Sequence, residues 1–290
     1  MTPSPSSHVL YTMATFDLFS INSFGIGNPA KLLQILTHCH KLKKSHQFIV
    51  TIQETKIKSL KNKHINILNN FHLSFKFAPA NNNRKGGLIT VWSNNITHTN
   101  PNYNAYQEHT LLTTFEHNNT KHAIINTYLN TYQYSAALQE LENNINMVPA
   151  NHTLTVVGDF NAFSDVDYNS SKPILPRDRR IAHQALLDPL LLQHNLTDSA
   201  LPSSVKHTHF DKQHQSFSRI DYIYTQMDTT NNTLHTHHTT YSDHFLLQLS
   251  SSEDSFFCRG TSYWKLNETI LKPNRELITN IITQYNQESD

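Results

Sequence analysis

Residues 155–162 read TVVGDFNA. The apolar pair Val156 and Val157 stops at Gly158, and an acid and an amide, Asp159 and Asn161, follow one residue apart. In a continuing strand, side chains alternate between faces. Asp159 and Asn161 would then share one side of a sheet, with Phe160 turned back into the fold. Gly158 would permit a tight exit. A buried run that ends in two polar groups facing one way is a place to look for chemistry. Alone, the stretch also reads as a turn, since Gly, Asp and Asn all suit turns.

The composition bounds what surrounds this stretch. The chain has 290 residues, enough for one large domain or two small ones. A hydrophobic fraction of 37% with 16% charged residues supports a packed core and excludes wholesale disorder. The net charge of +1 gives no global attraction for a polyanion, so such binding needs local patches or a metal ion. Cys39 and Cys258 form neither a disulfide framework nor a CxxC pair, which fits a reducing compartment. The N-terminus lacks a basic segment followed by a continuous apolar one, so no secretory signal is expected. No stretch approaches the roughly 18 apolar residues of a membrane helix. The expectation is a soluble, intracellular protein.

Residues 1–14 read as a flexible lead-in. Strand patterns follow at 16–22, 48–54, 73–80, 88–92, 110–117, 122–130, 152–161, 218–226, 234–240 and 244–250. Pro29 opens a helical pattern that ends in lysines, which suits the helix dipole. Residues 56–70 are helix or loop, and 134–148 are helical with Leu138, Leu141 and Ile145 on one face. Residues 179–196 are also helical, with a break or kink demanded at Pro189. Dominant strands with interspersed helices give mixed sheets with helices outside. The core domain spans 15–251, and 252–290 read as a linker and helical tail.

Polar residues recur where strands end: SIN (20–22), IQET (52–55), NTYLN (126–130), GDFN (158–161), SRIDYI (218–223) and YSDH (241–244). Each alone has a bland explanation as a turn, a surface acid or a helix cap. Six in one chain supply carboxylates from Glu54, Asp159, Asp221 and Asp243. Amides come from Asn22, Asn130 and Asn161, a phenol from Tyr128 and an imidazole from His244. Hard oxygen ligands without cysteine suit Mg²⁺ or Mn²⁺. Phosphodiester cleavage needs an activated water, neutralisation of the phosphoryl oxygens and a stabilised leaving oxygen, and this inventory covers those needs without a covalent nucleophile. His235 and His237 share a strand face, but histidine is abundant throughout, so a zinc site there is disfavoured.

These motifs resemble the endonuclease/exonuclease/phosphatase superfamily, whose DNase I-like fold is shared with abasic-site endonucleases. The resemblance covers about residues 16–250. QETK, GDFN with the nearby SDVDYN, SRIDYI and SDH are most similar to the endonuclease domain of LINE-type retrotransposons. SYWKLN (262–267) resembles the segment before their reverse transcriptase. The resemblance implies a four-layer α/β sandwich, two packed mixed β-sheets flanked by helices. It implies a Mg²⁺-dependent DNA endonuclease that leaves a 3′-hydroxyl, nuclear, with a reverse transcriptase as companion. No Asp-Asp dipeptide of a polymerase is present in this chain.

Roles follow from the same resemblance. Glu54 is the principal metal ligand, helped by Asn22 and with Asp243 nearby. Asp159 orients or deprotonates water, and Asn161 holds the water and the phosphate. Tyr128 and Asn130 contact the phosphate. His244, oriented by Asp221, hydrogen-bonds the scissile phosphate. Thr208 lies near the DNA-binding face. Two departures stand out. Phe24 occupies a position where abasic-site enzymes carry an acid, and NTYLN is one residue shorter than the family's pattern. Other readings are a lipid phosphatase, sphingomyelinase or deadenylase on the same fold, and an inactive fragment that at most binds DNA.

Overall fold

The computed structural model describes residues 16–81, 85–99, 108–163, 170–173, 179–200, 205–227 and 232–251. The lead-in at 1–14, SDVDYN, the tail at 252–290 and Cys258 lie outside the described residues.

In chain order, Asp17–Asn22 (β1), Pro29–Leu42 (α1), Phe48–Gln53 (β2), Asn62–Asn70 (α2), Leu73–Ala78 (β3), Leu88–Ser93 (β4) and Thr97–His98 (β5) form the first half. Thr110–His117 (β6), Thr120–Tyr128 (β7), Tyr134–Asn146 (α3), Thr153–Asp159 (β8), Arg179–Gln193 (α4) and Thr197–Asp198 (β9) follow. The hairpin His209–Asp211 (β10) and Ser216–Ser218 (β11) precedes Asp221–Thr225 (β12), Asn232–His237 (β13) and Leu246–Ser251 (β14).

Two six-stranded mixed sheets result, ordered β13-β14-β1-β2-β4-β3 and β5-β6-β7-β8-β12-β9. Period-two alternation sorts each strand between layers. In β1, Phe19 and Ile21 pack against α1, which contributes Leu32, Ile35, Leu36 and Cys39. Leu18 faces the opposite way and meets Val157, Ile223 and Phe115 between the sheets. In β8, Leu154 and Val156 face Ala137, Leu141, Leu187 and Leu191 of α3 and α4. The four-layer sandwich therefore follows from which parity of each strand is apolar on which side.

Local chemistry sets the helix starts. Asn28 Oδ1 accepts the Ala30 N–H at 3.0 Å, and Pro29 opens α1 with His40 and Lys41 in its last turn. Of the break or kink expected at Pro189, the break is not made, because α4 runs through the proline without ending. Leu187, Leu190 and Leu191 are buried on both sides of the proline, and their packing outweighs its missing N–H.

Gly158 has a different role from a strand exit. It lies inside β8 at φ +145, and a Cβ there would meet the carbonyl oxygen of Thr127 on the parallel neighbour β7 at 2.0 Å. Gly158→Ala is expected to destabilise the protein by about 3 kcal/mol or more, read as a lowered urea midpoint.

His122 on β7 is buried, its ring edge-on to Phe16 at 5.4 Å, and its Nε2 has no hydrogen-bond partner among the described residues. Burial foremost, then the nearby His117 and His152, pushes its pKa down to about 4. Below the ordinary histidine value the unfolded chain binds a proton that the folded chain refuses. Stability from this group is thus full above about pH 6.5 and is lost as pH falls towards 4, by about 3 kcal/mol. In urea unfolding at pH 7 and pH 4.5, His122→Met should show a smaller acid loss than the parent chain. An equal loss would refute this role.

Candidate functional site

The strand registers gather the polar ends. Tyr128 of β7 and Asp221 of β12 both lie opposite Asp159 of β8. In the other sheet Asn22 lies opposite Gln53, one residue before Glu54. The two groups meet where Asn22 Nδ2 donates to Asp159 Oδ2 at 2.9 Å, across 137 residues of sequence.

The corner at 159–161 is built differently from a continuing strand. β8 ends at Asp159, and Asn161 adopts φ +46, a left-handed conformation to which asparagine is suited. The Asn161 N–H donates to Asp159 Oδ1 at 3.0 Å, and its side-chain amide donates to Leu129 O at 3.1 Å. Phe160 is fully buried beside Tyr222 and Tyr224. The turn, rather than alternation, sets where Asn161 lies.

His244 Nδ1–H donates to both oxygens of Asp221, at 3.0 and 2.9 Å. Asp159, Asp221 and His244 are all buried, with one ligand atom from each within 4.8 Å of the other two. Burial alone would suppress the His244 charge, but Asp221 beside it prevails and pushes the pKa up to about 9. Burial and the Asp221 charge raise Asp159 to about 7, against the pull of His244, Asn22 and the Asn161 N–H. At neutral pH the site therefore holds an imidazolium beside a carboxylate poised to take a proton.

Thr208 is fully buried. Its hydroxyl donates to Asp221 Oδ2 at 2.7 Å and accepts the N–H groups of Ile220 and Asp221 at 3.1 Å. The side chain thus positions Asp221 from within the fold. Asn130 follows β7 in the adjoining loop. It is buried in a local turn, with Oδ1 accepting the Tyr132 N–H at 3.0 Å and Nδ2 directed to Gln133 Oε1 at 3.5 Å, so its amide is engaged away from the other site residues.

Glu54 and Tyr128 complete the floor. Glu54 sits just past β2 at φ +50 and pairs with Lys56 at 2.9 Å. The Tyr128 phenol donates to Glu54 and stays protonated, its pKa raised by burial first and then by the charges of Glu54 and Asp159. Asp243 groups with His209 and His244, again with one ligand atom of each within 4.8 Å. Ser242 Oγ donates to Asn22 O at 2.7 Å and anchors that loop to β1.

The donor set fits a divalent cation. Burial first and then the Asp221 charge raise Asp159, both of which a nearby cation would offset, and all the donors are oxygen or imidazole. Glu54, Asn22 and Asp243 could join such a site. Glu54 lies outside both clusters and is now held by Lys56, and Asn22 Oδ1 accepts the Phe24 N–H at 3.0 Å with a second lone pair left over.

Sequence reading missed Lys56, Ser242 and His209. The signals were weak: Lys56 is one lysine of a basic run, and His209 is one of 20 histidines. The His209 ring lies 4.6 Å from that of His244, and burial, with the His244 charge second, lowers its pKa to about 4. On β13, His237 hydrogen-bonds Gln248 at 2.9 Å and His235 lies 3.4 Å from the Lys44 ammonium.

No curated protein matches the chain in sequence. Among solved structures it is similar to the endonuclease domain of TRAS1, a telomere-specific non-LTR retrotransposon. That likeness has a TM-score of 0.58 and 15% identity over 82% of this chain and 99% of the other. It is also similar to the 3′ phosphatase NExo from Neisseria bound to a product DNA hairpin (TM-score 0.58, 15% identity, 81% and 98%). An AP endonuclease from Archaeoglobus fulgidus aligns with a TM-score of 0.57 at 15% identity, over 81% and 99%. Likeness at this identity shows a common fold, the DNase I-like sandwich. A sequence model of the Endonuclease/Exonuclease/phosphatase family matches residues 15–244. With most of its length matched, the chain belongs to that family, whose members are hydrolases of phosphodiester and related phosphoester bonds.

Proposed function

We propose that this chain is a metal-dependent DNA endonuclease of the LINE-retrotransposon kind, acting in the nucleus, that nicks one strand and leaves a 3′-hydroxyl. One observation carries the reading: Asp159, bound to Asn22, stands within the same buried cluster as the Asp221–His244 pair. A proton acceptor and a positive hydrogen-bond donor thus flank one small space. The motifs QETK, GDFN, SRIDYI and SDH support the finer assignment, as does the fold shared with the TRAS1 domain.

In this mechanism Asp159 accepts a proton from the attacking water, which the Asn161 amide helps to orient. The water oxygen bonds to phosphorus, the P–O3′ bond breaks, and O3′ takes up a proton from solvent. The products are a 3′-hydroxyl and a 5′-phosphate. His244, kept charged by Asp221, donates a hydrogen bond to a phosphoryl oxygen as negative charge builds there. The Tyr128 phenol gives its one hydrogen to Glu54 and so positions that carboxylate beside the phosphate. Glu54, Asn22 and Asp243 would hold Mg²⁺ or Mn²⁺, which when bound neutralises the phosphoryl and leaving oxygens.

Glu54→Ala should abolish Mg²⁺-dependent nicking of supercoiled plasmid, and a chelator should do the same to the parent chain. Undiminished nicking by the variant would sink the metal assignment. Asp221→Asn should slow nicking by about 10²- to 10⁴-fold, because His244 loses the charge that holds it as an imidazolium. The nicked ends should be extendable by a DNA polymerase without prior treatment, which reports a 3′-hydroxyl. Phosphate release from a lipid headgroup with no plasmid nicking would replace this reading with a phosphatase.

A further inference from the structure

Beside Glu54 lies an open groove of about 630 Å³ whose lining includes Phe24, Gly25, Lys56, Ile57, Lys58 and Lys61. It is not one of the clusters described above, and two features distinguish it. The first is Phe24, a large apolar side chain 59% exposed and fixed at φ +50. A bulky residue in this left-handed conformation is a strained choice, and strain of this kind is concentrated at functional sites. Its backbone is held there because its N–H donates to Asn22 Oδ1 at 3.0 Å. The second is charge. The Lys56 ammonium stands 3.6 Å from the Phe24 ring centroid, and Lys58 and Lys61 are exposed with no ion-pair partner among the described residues. The Lys31 ammonium is close enough for Lys56 to lower its pKa further, after burial. Glu54 is the acid nearest in sequence, and Lys56 already pairs with it.

An exposed aromatic plane in a lysine-lined groove, two residues from Asn22 and from Glu54, suits an unstacked base whose flanking phosphates meet the lysines. We propose that this groove is a nucleobase subsite next to the scissile phosphate. Phe24 is the stacking platform, Lys56 steadies the ring, and Lys58 and Lys61 hold the strand. The assignment rests on the nuclease reading for its substrate class. It goes beyond that reading by making an unpaired or readily unpaired nucleotide beside the cut a determinant of specificity. An A-form or B-form duplex with every base stacked would leave Phe24 without a partner.

Binding and turnover separate the outcomes. The full chain carrying Glu54→Ala is titrated with an oligonucleotide containing an unpaired 2-aminopurine, whose fluorescence falls on stacking. Quenching is expected, and it should disappear when Phe24→Asn is added, since asparagine tolerates the same backbone conformation. In the otherwise native chain, Phe24→Asn should raise KM about tenfold for a substrate with an unpaired base at the cut, with kcat unchanged. Phe24→Trp should restore it. An oligonucleotide lacking that base should bind the parent and Phe24→Asn chains equally. Lys58→Ala with Lys61→Ala should weaken binding of all these strands alike and reduce the log–log salt slope by about 1.5, which Phe24→Asn leaves unchanged. Base-independent affinity, or an equal KM effect on base-containing and baseless substrates, would overturn the stacking role. If plasmid nicking is absent but quenching by Phe24 persists, the nuclease reading fails and the subsite stands.

Discussion

The hydrogen bond from Asn22 to Asp159 joins the ends of the two sheets, and the site exists only where they are joined. Asn22 ends β1 at the centre of one sheet, and Asp159 ends β8 at the centre of the other. Deeper between the sheets, Gln53 Nε2 donates to Asn126 Oδ1 at 2.8 Å and Asn126 Nδ2 donates to Ile89 O at 3.0 Å. Leaving any one of these buried groups unpaired would cost about 1–3 kcal/mol, so the polar contacts specify one alignment of two otherwise apolar faces. The same alignment brings Glu54 and Tyr128 to within one hydrogen bond of each other.

Electrostatics divides the labour among the carboxylates. Asp221 spends its charge on His244 and is tied by Thr208, so it orients and charges the imidazole. Among the described residues Asp159 forms no ion pair; it is fully enclosed and feels Asp221 beside it, and these outweigh the pull of His244, so its proton affinity rises. Two acids of identical chemistry, opposite one another in register, acquire different roles because their neighbours differ.

Four of the nine described non-glycine residues with positive φ lie at the same corner. Phe24, Glu54, Lys56 and Asn161 all have φ between +46 and +56. Each such residue costs on the order of 1 kcal/mol or more and persists only where its surroundings demand it. Here the demand is visible. The N–H groups of Thr55 and Lys56 are bound at 3.0 Å by the carbonyls of Gly87 and Gly86. A side chain at Gly87 would strike Thr55 Oγ1 at 2.3 Å. The loop that aims Glu54 is thus locked by a glycine pair more than thirty residues away in sequence.

Much of this was legible in the order of residues. Short, largely apolar runs in FDLFSI, FIVTIQ and LTVV report strands covered on both faces, because apolar character is a local property of the chain. The polar residues that end those strands reported which end carries chemistry, and the family motifs reported which chemistry. Other features depended on partners distant in sequence. Thr208 reads as a residue near the DNA-binding face, and the structure adds that its buried hydroxyl supports Asp221. Asn130 reads as a phosphate contact, and the structure adds that its Oδ1 closes a local turn. Pro189 reads as a break or kink, and the helix continues through it. Gly158 reads as an exit and proves to be the gap into which the Thr127 carbonyl fits. The sequence by itself determined most of the elements and the list of chemical groups, which follow from local periodicity and residue type, while the four layers were implied by the family motifs. Only the tertiary structure decided which groups touch and which of them carry charge, because burial and hydrogen bonding are set by neighbours that the folded sheets supply.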